Sequence, residues 1–289
     1  MATKPIVVGT DGSKESLRAV EWAAREAVLR GAPLRIVSAA ELLPRMVGST
    51  GTSEYDTVAD LLRQERDRAL TAAAERAAEI SPGLLIDTDR LTGQPALAVT
   101  ESGNGALMLV VGSRGGGAFM ALVLGSVSRY AAIHASGPVV VVRDETTATH
   151  KQVGVGVSDP ETSTAALEFA FEEAALRKAS VMAVHAWHTP QTDISRAGPA
   201  GPAADVLEAA AARQLEALLH DWREKYPDVQ VSQDVVHGHP GRALVGLSAR
   251  ADLVVLGRRS THAGQHGPGT VTHAVLNHAH GPIVTVPSS

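Results

Sequence analysis

Two periods of hydrophobicity alternate along the chain. Apolar runs at 5–9, 34–39, 107–112 and 139–142 are short and bounded by turn residues, so each reads as a buried strand, and 84–91 reads as the third strand of the series. Between the first two, Leu17, Val20, Ala24, Ala27 and Val28 recur at helical spacing, which predicts a helix over 14–30. Ser13 stands where a cap is needed, and Gly31 followed by Pro33 stops the helix. An Ala-rich helix is predicted over 56–80, ended by Ser81-Pro82-Gly83. A short one runs from the Thr92-Gly93-Gln94-Pro95 turn to about residue 102, with Pro near its first turn, and another covers 127–134. The polar stretch 41–55 is long enough for a lid or a surface excursion. Strands alternating with helices imply right-handed crossovers and a parallel sheet covered on both faces.

The pattern then starts again. Ala19-Val20-Glu21-Trp22-Ala23 returns as Ala166-Leu167-Glu168-Phe169-Ala170, and Gly93-Gln94-Pro95 as Gly238-His239-Pro240. Leu109-Val110-Val111-Gly112 returns as Val254-Val255-Leu256-Gly257, and Gly137-Pro138-Val139-Val140 as Gly281-Pro282-Ile283-Val284. The offsets lie between 144 and 147 residues, which marks a tandem duplication of one βα domain rather than a solenoid of short repeats. The polar, aperiodic stretch 144–151 reads as the linker between domains at 1–143 and 152–289. In the second domain, Val206, Leu207, Leu215 and Leu218 fall at helical spacing and predict the core face of a helix.

The stretch 110–127 carries the chemistry. An apolar strand ends in Gly112-Ser113-Arg114-Gly115-Gly116-Gly117, and Gly125-Ser126 then opens a helix that Ser126 is placed to cap. Strand, glycine loop and helix N-terminus together make a site for an anion, with phosphate the natural occupant. The spacing is not a P-loop, since no Lys sits in the loop, and it is not the dinucleotide fingerprint. Each charge-assisted backbone bond to phosphate contributes roughly 1.5–3 kcal/mol, so three or four of them suffice for micromolar affinity.

Composition narrows the classes. A chain of 289 residues, 44% hydrophobic and 20% charged, suits two globular domains with a core each. A net charge of −5 gives no basic footprint for nucleic acid, and the absence of cysteine excludes disulfide and thiolate chemistry. Neither a signal peptide nor an apolar run near the roughly 18 residues of a membrane span is visible, so a cytoplasmic protein without membrane attachment is expected.

The spacing of Gly112, Gly115, Gly125 and Ser126 resembles the nucleotide-binding signature of the universal stress protein family, in its ATP-binding branch. The opening Ile6-Val7-Val8-Gly9-Thr10-Asp11-Gly12-Ser13 is similar to that family's first strand and acidic turn, and the repeat extends the resemblance over nearly the whole chain. The resemblance implies an α/β fold of the adenine-nucleotide alpha-hydrolase type. Each half would be an open parallel five-stranded sheet of order 3-2-1-4-5, with helices on both faces. It implies two halves packed as a pseudo-dimer through their fifth strands, a homodimer on top of that, and an unidentified protein partner. ATP with Mg²⁺ is the implied cofactor.

With that order, the ligand sits beyond the carboxyl ends of the first and fourth strands, where the strand order reverses. The expected site in the first half is then Gly9 and Asp11, the backbone near Ala39, Gly112, Ser113, Arg114, Gly115, Gly116 and Gly117, and Gly125, Ser126, Val127 and Ser128. Backbone amides hold the phosphates, and the Ser126 and Ser128 hydroxyls add donors. Asp11 accepts from nucleoside hydroxyls or orders Mg²⁺. Ala39 resembles the family's adenine-edge contact. Arg114 screens phosphate charge or is a solvated loop arginine.

The second half departs from this pattern. Its loop, from Gly257-Arg258-Arg259-Ser260 to Gly269-Thr270-Val271, has Ser for the second glycine, is one residue shorter, and loses an amide at Pro268. Gap-free alignment puts Ser158 at the position of Asp11, with Asp159 beside it and Gly156 ahead. Nucleotide binding there is weaker by expectation, with Arg258 and Arg259 as compensating charge. Ten of the twelve histidines fall in residues 152–289, but His237 with His239 and His262 with His266 read as loop histidines rather than metal ligands.

Three functions compete. The first is an ATP-binding regulator or sensor in a stress or dormancy response, without catalysis, since no nucleophile–base pair or carboxylate dyad stands beside the signature. The second is a slow ATPase or a phosphoryl- or adenylyl-transfer enzyme, for which Asp11 is the one residue to name. The third is a scaffold whose pocket is vestigial, which the eroded second loop favours.

Overall fold

The computed structural model describes residues 3–40, 54–114, 124–143, 149–187, 202–259 and 269–288. The chain forms two compact units, Met1–Glu145 and Thr146–Ser289. The first contains β1 (Ile6–Gly9), α1 (Lys14–Arg30), β2 (Leu34–Ala40), α2 (Glu54–Ile80), β3 (Ile86–Thr92), α3 (Pro95–Ser102), β4 (Met108–Gly112), α4 (Ser126–His134) and β5 (Val139–Val142). The second contains β6 (Gln152–Gly156), α5 (Pro160–Arg177), β7 (Ser180–Trp187), α6 (Pro202–Lys225), β8 (Val231–His237), α7 (Pro240–Ser248), β9 (Leu253–Arg258), α8 (Thr270–His278) and β10 (Ile283–Pro287).

All strands within each unit pair in parallel. The order is β3-β2-β1-β4-β5 in the first and β8-β7-β6-β9-β10 in the second. Burial explains the assignment. β4 (MLVVG) and β5 (VVVV) are buried at every position, as strands covered on both faces must be. β3 (IDTDRLT) lies at the far end of its sheet and is mostly exposed, and its Arg90 pairs with Asp67 at 2.6 Å. Charges on such a strand deter further pairing.

Small side chains set how closely the helices approach the sheet. On α1, Ala19, Val20, Ala23, Ala24 and Ala27 are completely buried, whereas Val28 is 57% exposed. The sequence pattern includes Val28 in the inward face; the stripe instead ends one residue earlier, at Ala27. Ser13 caps α1 by accepting from the Ser16 amide, and Gly31 closes it in the left-handed conformation. On α6 the inward stripe is Ala211, Leu215 and Leu219, one residue every fourth position. The expected members Val206 and Leu207 are exposed and Leu218 is half-buried, a correction of the predicted face. β3 starts at Ile86 rather than residue 84, because Leu84 donates its amide to the Ser81 carbonyl in the preceding turn. Among the described residues, no helix is long and apolar enough to cross a membrane.

Candidate functional site

β1 and β4 are adjacent, with β2 continuing the sheet on one side and β5 on the other, so the strand order reverses between them. Helices leave the two strands in different directions and open a crevice at their carboxyl ends. Two turns border it.

The first turn is Thr10 to Ser13. The Thr10 amide ties it to β2, and side chains hold the rest. Asp11 Oδ1 accepts from the Ser13 amide at 3.0 Å and from the Ser13 hydroxyl at 2.6 Å. Ser13 Oγ accepts in turn from the Ser16 amide at 3.2 Å. Ser16 Oγ donates to the Ser13 carbonyl and accepts from the Asp11 amide at 3.3 Å, and it bonds Thr10 Oγ1 at 3.1 Å. Thr10 Oγ1 accepts from the Gly12 amide at 3.2 Å. Gly12 has φ +80°, a conformation that favours glycine. The result is an exposed Asp11 on a fixed backbone.

The second turn begins where β4 ends. Ser113 takes the Val142 carbonyl with its amide at 2.8 Å, and its own carbonyl accepts from the Gly125 amide at 2.9 Å. That bond brings the start of α4 back to the end of β4. Gly125, not Ser126, is the N-cap: no side chain caps the helix, and Ser126 is its first helical residue. A cap residue has extended backbone while its successor is already helical, and Gly125 (φ −62°, ψ 156°) meets that description. The first-turn amides of Ser126 and Val127 therefore point out of the helix, where the peptide dipole also favours an anion. The Ser128 hydroxyl is not an open donor as expected. It is buried and donates to the Gly112 carbonyl. Arg114 is half-buried beside Gly125, and Gly115, Gly116 and Gly117 lie outside the described residues.

Two glycines expected at the ligand are packing glycines. A Cβ on Gly112 would stand 2.7 Å from the Glu15 carbonyl oxygen, and one on Gly9 would stand 2.9 Å from Val99 Cγ1. The first lets α1 approach β4 and the second lets α3 approach β1. Ala39 is placed differently. Val37 faces β1, because its carbonyl accepts from the Thr10 amide at 2.8 Å, whereas Ala40 faces β3 and accepts from Gly93. Successive residues of a strand alternate sides, so the Ala39 amide and carbonyl face the β1 side. There β1 has already ended, its last paired residue being Gly9 opposite Val37. The backbone of Ala39 thus lies open to the crevice.

The second unit repeats the crevice with a shorter turn. Three residues, Val157 to Asp159, join β6 to α5, where four join β1 to α1. Asp159 is the N-cap of α5, followed by Pro160, and accepts from the Thr162 amide at 3.0 Å. It therefore does the work of Ser13, not of Asp11, which corrects the alignment. Its carboxyl is held below the usual carboxylate range by the Thr162 backbone N–H, with the Arg259 guanidinium at 3.5 Å adding to the effect. An Asp-Pro pair at the start of a helix was a readable cap signal in the sequence. Ser158 bonds Ser163 Oγ through its amide and Thr162 Oγ1 through its hydroxyl, both at 2.9 Å. Burial pushes the Arg258 guanidinium down to about 10. Gly257 abuts the Thr162 carbonyl as Gly112 abuts Glu15, and Gly156 packs against Leu244. Gly269 caps α8, with Thr270 and Val271 in its first turn, while Ser260 lies outside the described residues.

His237 and His239 take structural positions. His237 packs on Trp187 with ring centroids 4.5 Å apart, and His239 Nδ1 caps α7 through the Gly241 amide at 3.2 Å. His262 and His266 lie outside the described residues, and among those described no group of three His, Cys, Asp or Glu converges.

Comparison with known proteins adds the lineage. The model of the universal stress protein family matches residues 2–143 and again 149–287. A universal stress protein of Mycolicibacterium smegmatis is 33% identical over 277 residues, covering 94% of this chain and 90% of its own length. One of Mycobacterium tuberculosis is 33% identical over 294 residues, covering 98% and 97%. A universal stress protein of Archaeoglobus fulgidus has a similar fold, with a TM-score of 0.74 over 100% of both chains at 17% identity.

Proposed function

We propose that this chain, which belongs to the universal stress protein family, binds an adenine nucleotide in the crevice of its first unit and acts as a nucleotide-dependent regulator rather than as an enzyme. One observation carries the reading: the Ser113–Gly125 bond, which aims the uncapped N-terminus of α4 into the crevice that Asp11 borders. Phosphate oxygens accept from the first-turn amides of α4. A Mg²⁺ accompanying the nucleotide would be held by the Asp11 carboxylate and would neutralise phosphate charge. That ion also offsets the repulsion between the carboxylate and the phosphates. Ala39 presents a donor and an acceptor to the base edge. Turnover would need a second acid or base to activate a water, and the sequence signature around Asp11 carries no nucleophile–base pair or carboxylate dyad.

The test is the nucleotide content of freshly purified protein, released by denaturation and identified by chromatography, followed by calorimetry with Mg-ATP. Co-purifying ATP, or micromolar binding of added Mg-ATP, is expected. No nucleotide in either experiment would reject the reading and leave a scaffold on an empty fold, and accumulation of ADP from added ATP would favour the enzyme.

A further inference from the structure

The sequence holds two asparagines, Asn104 and Asn277, and only Asn104 is followed by glycine. The fold sets them in opposite surroundings. Asn277 lies inside α8, where its Nδ2 donates to the His273 carbonyl at 2.8 Å and the next residue is a helical histidine. Asn104 and Gly105 are exposed, between the end of α3 and the start of β4. That place is at the amino ends of the strands, away from the crevice, and has no part in the nucleotide reading.

Asn104 and Gly105 are the central residues of a turn that the Ala106 amide closes on the Gly103 carbonyl at 3.1 Å. Gly105 takes φ +77°, which suits glycine and strains other residues. The turn thus keeps glycine where a side chain would shield the backbone nitrogen. Apart from its chain neighbours, nothing lies within 4 Å of the point a Cβ on Gly105 would occupy. Among the described residues the Gly105 amide has no acceptor. The Asn104 side chain is held by one bond, in which Ser136 Oγ donates to Oδ1 at 2.7 Å. Ser136 comes from the turn between α4 and β5.

These are the parts of an amide exchange. The Gly105 nitrogen gives up its proton to water and adds to Asn104 Cγ. As that bond forms, negative charge gathers on Oδ1, the atom to which Ser136 already donates, as an oxyanion donor does. The Cγ–Nδ2 bond then breaks, and Nδ2 leaves as ammonia with a proton from water. A succinimide ring remains. Water opens it at Cγ to give aspartate, or at the backbone carbonyl to give isoaspartate, whose main chain runs through Cβ. Water enters and ammonia leaves, with no oxidant or cofactor. Bringing the nitrogen to Cγ needs rotation about the Asn104 Cα–C bond, which breaks the exposed Ala106–Gly103 bond, so a local opening of the turn suffices.

We propose that Asn104 is a spontaneous deamidation site of the folded chain, converted to aspartate or isoaspartate by the Gly105 nitrogen with Ser136 as the assisting donor. The product carboxylate stands just beyond Gly103, the C-cap of α3, where the peptide dipole disfavours an anion. An aged chain therefore differs from a new one in charge and in the hold on α3, which packs against α4.

The experiment incubates freshly purified full chain in native, mildly alkaline buffer and follows its peptides by mass spectrometry, with unincubated protein as the background. Asn104 is expected to convert to both products at least about tenfold faster than Asn277. Ser136→Ala is expected to slow the conversion by about threefold or more, since a donor to the developing oxyanion is gone. Ser136→Thr returns the hydroxyl and is expected to restore the rate, and thermal melts check that both variants fold. Asn104 that stays intact in the native protein overturns the proposal. So does conversion that appears only after unfolding in urea, or a rate unchanged or raised in Ser136→Ala.

Discussion

A Cβ on Gly112 would lie 2.7 Å from the carbonyl oxygen of Glu15, so β4 and the first turn of α1 meet backbone to backbone. The same contact recurs between Gly257 and Thr162, closer still. Gly112→Ala must push α1 off the sheet and is expected to cost about 1–3 kcal/mol, as overpacking does. Gly257→Ala is expected to cost more. Thermal unfolding of both variants checks this, and a midpoint unchanged in either would contradict the packing role. Nucleotide lost from Gly112→Ala is therefore evidence about α1 placement as much as about phosphate contact.

Asp11 is the cleaner probe of the crevice. Its Oδ1 holds Ser13, but Ser13 Oγ still caps α1 through the Ser16 amide. Asp11→Asn keeps an acceptor for those bonds and removes the charge. Mg-ATP affinity is expected to fall about tenfold, or ~1.4 kcal/mol, whereas affinity for ATP in chelator is expected to hold or rise because a like charge is gone. Calorimetry with and without Mg²⁺ reads both. An equal loss in the two conditions would remove the metal role from Asp11.

Asp159 has a folded-state pKa below its ordinary 3.8, owing first to the Thr162 amide. The sign follows from linkage: the ionised cap is favoured by folding, so its contribution is full above the unfolded value and fades as pH falls through the lower folded value. Asp159→Ala is expected to cost about 1 kcal/mol at neutral pH, as loss of a cap does. Asp159→Asn, a cap without charge, should differ from the wild type at neutral pH and converge with it in acid. Melts from pH 7 down to about pH 3 test this, and a constant gap between the two proteins would refute the assignment.

Glu173 is completely buried, and its partner Arg177, at 2.7 Å, is 25% exposed. The pair Glu26–Arg30 repeats this on α1 at 2.6 Å. Removing the two partners is not symmetric. Arg177→Ala takes a cation from a carboxylate that water cannot reach and is expected to cost about 3 kcal/mol. Glu173→Gln leaves a guanidinium that can rehydrate and is expected to cost less. Denaturant titration of the two variants orders them, and the reverse order would disprove the desolvation argument.

The legible parts of this protein were those written as period and punctuation. Apolar runs marked the buried strands, Ser13 and Gly31 marked both ends of α1, and the repeat of Leu109–Gly112 at Val254–Gly257 announced the duplicated sheet. What sequence reasoning missed depends on approach in three dimensions. Nothing in the loop pattern separates a glycine that clears space for a ligand from one that clears space for a helix, so the packing of Gly9 on Val99 and of Gly112 on Glu15 was not legible. The one-residue deletion before α5 shifted Asp159 from ligand position to cap, which a gap-free alignment hides. Ser128 looked like an open hydroxyl until its bond to the Gly112 carbonyl was seen.

Ala39 offers a test in which fold and function separate. Its amide faces the side on which β1 has ended, so it makes no ladder bond to lose. Proline is tolerated in a strand at such a position, because only an unpaired N–H disappears. Ala39→Pro is therefore expected to melt closer to the wild type than Gly112→Ala does. The donor that meets the base edge is removed, while the α4 amides that meet the phosphates are untouched. Affinity for Mg-ATP should fall toward that for Mg-GTP, with the triphosphate's share of binding intact. Competition of the two nucleotides against the variant measures the ratio. A preference for ATP unchanged from the wild type would mean that base selection lies elsewhere than the open edge of β2.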